Sequence, residues 1–322
     1  MSKTAKAWVI VATALTVIGC AVFVTVMAIL KWDFTALSTG KYVTNEHEIA
    51  EAFQSISVNT DTADIEFLPS SDSKCTVVCH EQEKVYHKVT VVDGVLKIEL
   101  NDTRAWYEYI GIGFENSKIT VYIPEGKYGF LKVDDSTGDV KVPDCFEFEG
   151  IDIAVSTGDV FCAAAASGAI NISAYTGDIH VDGISAGALE ISVSTGMVNT
   201  SKVICGGKTE INVSTGKVYL ENVSCEEFSS HGSTGDIFLK NVIVEKKITI
   251  ERSTGDVSLD ISDAAEIFIA TDTGDVIGAL LTDKVFATNT GTGSVSVPDT
   301  VSGGRCEVST STGDIRITIV KD

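Results

Sequence analysis

Seven aspartates follow a Thr-Gly pair, and apart from Asp314 they form two runs of three in successive repeats: Asp139, Asp159 and Asp178, then Asp236, Asp256 and Asp275. Carboxylates repeated at a fixed spacing are the residue type that hard cations take as ligands, so a calcium ladder is one chemistry they could perform. Calcium wants six or more oxygens, however, and the Gly-rich nonapeptide of known calcium β-rolls does not occur here. The plainer reading is a turn, in which glycine supplies a positive φ while Thr and Asp satisfy loose backbone groups. No cofactor is expected, with calcium the one ion the corners suggest.

A second constellation is "AWYEYIGIGFENS" at 105–117. It gathers Trp106, Tyr107, Tyr109 and Phe114 with two isoleucines, enough apolar surface to grip a partner, a glycan or a lipid surface, or to cover the open end of a repeat structure. Signals for catalysis are sparse. His47, His80, His87, His180 and His231 are scattered, no Gly-x-Ser-x-Gly elbow occurs, and Asp134-Asp135 and Glu147/Glu149 are adjacent carboxylates in a chain rich in them. Eight cysteines include Cys75 and Cys79, about 13 Å apart on a strand and too distant for a disulfide. Cys205 and Cys225 fall at equivalent positions of successive repeats, within disulfide range but equally readable as buried thiols. No zinc-type Cys/His spacing is present.

What positions these residues is a repeat. Its glycines are Gly138, Gly158, Gly177, Gly196, Gly216, Gly235, Gly255, Gly274, Gly293 and Gly313, separated by 19 or 20 residues throughout. Apolar residues alternate on both sides of each corner, as in Leu131/Val133 before and Val140/Val142 after, or Ile170/Ile172 before and Ile179/Val181 after. Period-two alternation means two strands per repeat, and the change of parity at Thr-Gly means the chain bends while keeping its apolar face inward. So short a unit cannot bury its own face, and stacking copies about 4.8 Å apart gives an all-β, parallel β-solenoid of about ten coils. Residues 131–322 read as the regular solenoid and 51–130 as irregular N-terminal coils or a cap, with Asp93-Gly94 as a hairpin turn. Residues 31–50 read as a polar stem, helical over "NEHEIAEAF".

Ahead of the β region, Ala7 to Leu30 carry no charge and span a bilayer as one helix. Lys3 and Lys6 precede it, so a signal anchor at 7–30 with a cytoplasmic N-terminus at 1–6 is expected, and the rest of the chain outside. "VIGC" at 17–20 also has the form of a lipobox ending at Cys20, although the apolar run continues for ten residues beyond it. The net charge is −21, and removing Lys3, Lys6 and Lys31 (+3) and Asp33 (−1) leaves −23 on residues 34–322. That surface repels polyanions and excludes phosphate-backbone binding, so nucleic acid is not a partner.

"FQSISVNTDTADIEFLP", "DGVLKIEL", "KITVYIPEG" and the "STGDV" series, in that order over residues 51–322, resemble the bacterial putative-adhesin family called Toastrack, a domain of unknown function. The resemblance implies a β-solenoid in the envelope of a Gram-positive bacterium, at times linked to envelope-stress systems, and offers no catalytic residues to carry over. The expectation is a membrane-anchored, non-catalytic interaction module facing an envelope protein or a glycan. The alternative is a calcium-dependent or glycan-active β-helix protein.

Overall fold

The computed structural model describes residues 2–33, 40–106 and 116–320. Helix α1, Lys3–Ile29, is long and apolar enough to cross a bilayer. Ser2 caps it by accepting the Ala5 N–H at 3.2 Å. The hydroxyls of Thr13, Thr16 and Thr25 each donate to the carbonyl four residues earlier, which removes the cost of carrying them through lipid.

The remaining elements are strands of one continuous sheet wound into a parallel β-solenoid of about ten turns. Equivalent residues stack directly: Leu131 on Ile151, Ile151 on Ile170, and Ile170 on Leu189. Stacked outward rings repeat the coil spacing, with Phe161–His180 and Tyr219–Phe238 each 4.8 Å apart and nearly coplanar. The inward positions read from the sequence form the core, where Ile153, Ile172, Val160, Ile179, Val198 and Val218 are fully or almost fully buried.

The corner glycine has a reason in the stacking. Gly158 sits at φ +147°, and a Cβ there would stand 2.0 Å from the Gly138 carbonyl oxygen of the preceding coil. Coils pack so closely at this edge that only hydrogen fits. Another interior adjustment surrounds Arg252, a buried cation whose Nη1 donates to the Val213 carbonyl at 3.2 Å and Nη2 to Ser230 Oγ at 2.8 Å. A Cβ on Gly232 would collide with Nη1, so that glycine makes the space.

The coils do not stack in chain order at either end. Near the N-terminus the strands are β1 (Tyr42–Ile49), β2 (Ser55–Thr62), β3 (Asp64–Pro69), β4 (Cys75–Gln82), β5 (Val85–Val92), β6 (Val95–Asp102), β7 (Lys118–Ile123), β8 (Gly126–Thr137) and β9 (Val140–Val142). β2 and β3 form a coil with Ala63 at its corner, stacked on β8 and β9 with Thr62 over Thr137. β6 and β7 form the next coil outward, on the other side of β2 and β3. Beyond these, β5 runs antiparallel to β6, and β4 antiparallel to β7, so a reversed coil closes the rod. β1 adds an edge strand antiparallel to β4. The helix expected over "NEHEIAEAF" is therefore a strand for most of its length: the open edge of β4 offers ladder hydrogen bonds that override the local preference for helix.

At the other end the Gly313 coil lies between the Gly274 and Gly293 coils, with Cys306 paired to Ile267 on one side and Phe286 on the other. The chain leaves a slot after residue 280, builds the outermost coil, and returns to fill the slot last. A buried ion pair, Lys284 Nζ to Asp263 Oδ1 at 2.6 Å, joins the coils on either side of the slot. Thr282 Oγ1 and the Leu281 N–H donate to the other carboxylate oxygen at 2.7 and 3.1 Å. Gly303 and Gly304 thread the returning chain, since a Cβ would lie 1.8 Å from the Asp283 carbonyl oxygen or 1.7 Å from that of Ala265.

Candidate binding site

The aspartates after the corner glycines do share one edge, and their geometry shows what they do there. The Oδ1 of Asp139 accepts the backbone N–H of Asp159 at 2.9 Å, Asp159 that of Asp178 at 2.8 Å, and Asp178 that of Met197 at 2.7 Å. Asp236, Asp256 and Asp275 repeat the pattern toward Asp256, Asp275 and Asp314 at 3.1, 2.8 and 2.7 Å. The reordered coils lengthen both runs: Asp64 precedes Asp139 on the page of the sheet, and Asp314 follows Asp275 and reaches Ser294. Each carboxylate satisfies an amide of the neighbouring coil, a charge-assisted bond worth about 1.5–3 kcal/mol when well shielded. Between the runs, Lys217 pairs with Asp236 Oδ2 at 2.9 Å and holds that carboxyl below its ordinary range.

Of the predicted aromatic residues, Tyr107, Tyr109 and Phe114 lie outside the described residues, and Trp106 is exposed. The connection that carries them joins β6 to β7, where the neighbouring coil has its short corner at Ala63. Cys205 and Cys225 face the interior as free thiols, and burial pushes the Cys225 thiol up to about 11.

Sequence reasoning missed a groove on the solenoid flank. It has a volume of about 810 Å³ and is lined by Phe53, Tyr128, Phe130 and Phe148 with Gln54, Lys127, Glu147 and Glu149 at its polar margins. The rings of Phe53 and Tyr128 lie nearly parallel at 6.1 Å, and those of Tyr128 and Phe148 are tilted by 33° at 5.9 Å. Tyr128 is fixed by donating its hydroxyl to the Pro124 carbonyl at 2.7 Å, and burial pushes that phenol up to about 12. Phe130 is 60% exposed and crosses Gly150, where a Cβ would come within 2.8 Å of its ring. In the next coil Glu147 and Phe148 are met by Ala165 and Ala166, and this step from large to small side chains opens the groove. Lys127 and Glu147 pair across its rim at 2.6 Å. An adjoining depression of about 530 Å³ shares Phe53 and Tyr128 and reaches Lys74 and Glu51. The signal available was "KYGF", whose Phe130 stands exposed on the surface, whereas Phe146 and Phe148 of "FEFEG" are buried.

A second groove of about 460 Å³ runs beside the corner edge, lined by Asp134, Asp135, Tyr175 and a column of serines. Asp135 is buried there, its Oδ2 has no partner, and burial, with Asp64 and Asp61 adding to it, pushes its carboxyl up to about 7.

The Toastrack DUF4097 family model matches residues 53–318. The chain belongs to the Toastrack family. Among solved structures, this Toastrack chain is similar to a "putative adhesin" from Parabacteroides distasonis, at 14% identity and a TM-score of 0.46 over 87% of this chain and 98% of that one. A second "putative adhesin", from Parabacteroides merdae, shares 13% identity at a TM-score of 0.41, covering 88% and 98% of the two chains. A "putative lipid binding protein" from Parabacteroides distasonis shares 14% at a TM-score of 0.31, covering 87% and 98%. No curated protein matches the chain.

Proposed function

We propose that this Toastrack protein is a non-catalytic, membrane-anchored envelope module that holds a neutral glycan in the Phe53–Tyr128–Phe130–Phe148 groove. The observation that carries the reading is a row of aromatic rings, one of them largely exposed, flanked by carboxylates and an amide. Sugar rings present C–H faces that stack on aromatic rings and hydroxyls that bond to Gln54, Glu147 and Glu149. The charge of −21 disfavours anionic polymers, leaving uncharged or weakly cationic strands as the fitting class. Lys3 and Lys6 ahead of α1 support a solenoid that faces outward from the plasma membrane. Few residues separate α1 from β1, and Phe53 follows β1 closely, so this wall of the groove is tethered near the membrane-spanning helix along the chain. Affinity electrophoresis of the detergent-solubilised full chain in gels carrying neutral polysaccharides or isolated peptidoglycan tests the reading. Retardation that Phe130→Ala abolishes is expected; equal mobility of the wild type with and without polysaccharide refutes it.

A further inference from the structure

The closing coil at the N-terminal end holds a set of side chains that the groove does not use. Cys79 and Glu81 on β4 and His87 on β5 all point into the core, and Cys79 and Glu81 are fully buried with His87 only 2% exposed. Their Sγ, carboxylate and imidazole atoms lie within 4.8 Å of one another, the one such triple of potential ligands among the described residues. His87 Nδ1 faces Glu81 Oε2 at 2.7 Å.

Each of the two polar ligands is also held from behind. His87 Nε2 lies 2.8 Å from the Thr60 hydroxyl, and Glu81 Oε1 accepts from Asn45 Nδ2 at 2.6 Å. The His87 backbone N–H donates to Glu81 Oε2 at 2.7 Å. Metal-binding imidazoles and carboxylates are oriented in this way, by a partner on the atom that does not face the metal. The strands involved are β4 and β5 of the closing coil, β1 on its edge, and β2 of the coil beyond β6 and β7.

We propose that Cys79, Glu81 and His87 form a zinc-class divalent metal site inside the closing coil. Thiolate, imidazole and carboxylate together select zinc over the hard cations, and three protein ligands leave a fourth position for water. The charges balance: one thiolate and one carboxylate against a dication leave a neutral centre, which a dry interior accepts. Binding replaces the Cys79 S–H bond with a metal–sulfur bond and releases that proton. The imidazole stays neutral as its proton passes from Nδ1 to Nε2, so His87 donates to Thr60 Oγ1 instead of accepting from it. Thr60 pairs across the sheet with Asp135, whose Oδ2 has no partner.

Because the site is buried, the full chain is produced in zinc- or cobalt-supplemented cells, and in parallel refolded in detergent with each metal. The expected result is close to one equivalent of zinc retained through gel filtration. The cobalt form should show thiolate-to-cobalt charge transfer in the near ultraviolet and the intense visible bands of a tetrahedral site. Cys79→Ser should remove the charge-transfer band, whereas Cys75→Ser, on the same strand, should keep it. Less than a tenth of an equivalent in the wild type, or cobalt spectra without a thiolate band, overturns the proposal even if the variants fold poorly. Full stoichiometry with an unchanged spectrum in both Cys79→Ser and His87→Gln overturns it as well.

Discussion

Asp135 makes the corner edge sensitive to pH in a direction opposite to that of most carboxylates. It is 2% exposed, its Oδ1 accepts the Thr137 N–H at 3.3 Å, and its Oδ2 meets no donor. Burial is the main cause of a pKa raised from 3.8 to about 7, with Asp64 and Asp61 adding to it. The folded chain therefore holds this proton more tightly than the unfolded chain does. Below pH 3.8 both states are protonated and the site costs nothing; above about 7 both are ionised and the folded state bears the whole cost. At about 1.36 kcal/mol per pH unit, that interval has a ceiling of roughly 4 kcal/mol. Water at the adjoining groove screens part of it, so the expected cost at pH 8 is about 2–3 kcal/mol. Asp135→Asn keeps the shape and removes the charge. Urea unfolding of the full chain in detergent should show the variant more stable than wild type by that amount at pH 8, with the gap closing to near zero by pH 4. A variant equally or less stable at pH 8, or a gap that does not change with pH, refutes the reasoning.

Other consequences are as direct. Lys284→Met strands the Asp263 carboxylate in the core and should destabilise by about 3–5 kcal/mol in the same unfolding assay, with much of the loss recovered in Lys284→Met/Asp263→Leu. Gly216→Ala puts a Cβ 1.7 Å from the Gly196 carbonyl oxygen at φ +146° and should cost about 3 kcal/mol or more, whereas Gly183→Ala, at φ +69° in open space, should cost about 1–2 kcal/mol. Asp159→Ala deprives the Asp178 N–H of its acceptor and should cost about 1–2 kcal/mol, read as a lower urea midpoint with an unchanged slope. Calcium titration of the wild type should leave the melting temperature unchanged, because the Oδ1 of each corner aspartate is committed to an amide of the next coil; a saturable rise would restore the calcium ladder.

The corner period made the solenoid legible because the same steric demand recurs in every coil: one carbonyl, one missing Cβ, one inward pair on each side. The order of the coils was not legible from that period, since the Gly274, Gly293 and Gly313 corners are chemically alike and any of them can stack on any other. Fainter marks do exist. The Gly293 coil carries Thr288 where its neighbours place Val308 and Ile269, as suits an outermost layer, and Gly303-Gly304 marks a chain that must pass through a narrow slot. Ala63 is the matching mark at the other end. A corner Cβ points toward the coil on the N-terminal side of the stack, and beyond Ala63 that coil has the β6–β7 connection in place of a Thr-Gly corner. The flank groove was hidden for a different reason. Phe130 and Phe148 lie at positions whose outward or inward facing depends on the third side of the coil, where the two-strand alternation no longer sets the parity.

Stacking coils out of order has a physical return. A solenoid whose last strand is also its outer edge frays from the chain terminus, and its bare ladder invites pairing with other chains. Here the final strand, Ile315–Ile319, is held on both sides, by Val276–Leu280 and by Val295–Ser296, so the C-terminal segment belongs to the interior of the stack. At the opposite end the antiparallel β4 and β5 present a reversed coil that cannot propagate the parallel ladder. Reversal brings β4 and β5 side chains over a coil of different pattern, so the interior there contains Glu81, His87 and Thr60 where the regular coils contain Ile and Val. The aromatic groove arises the same way, at the first coils where bulky residues give way to Ala165 and Ala166. Both candidate sites thus sit where the repeat is broken, because only a break can bring unlike side chains into one place.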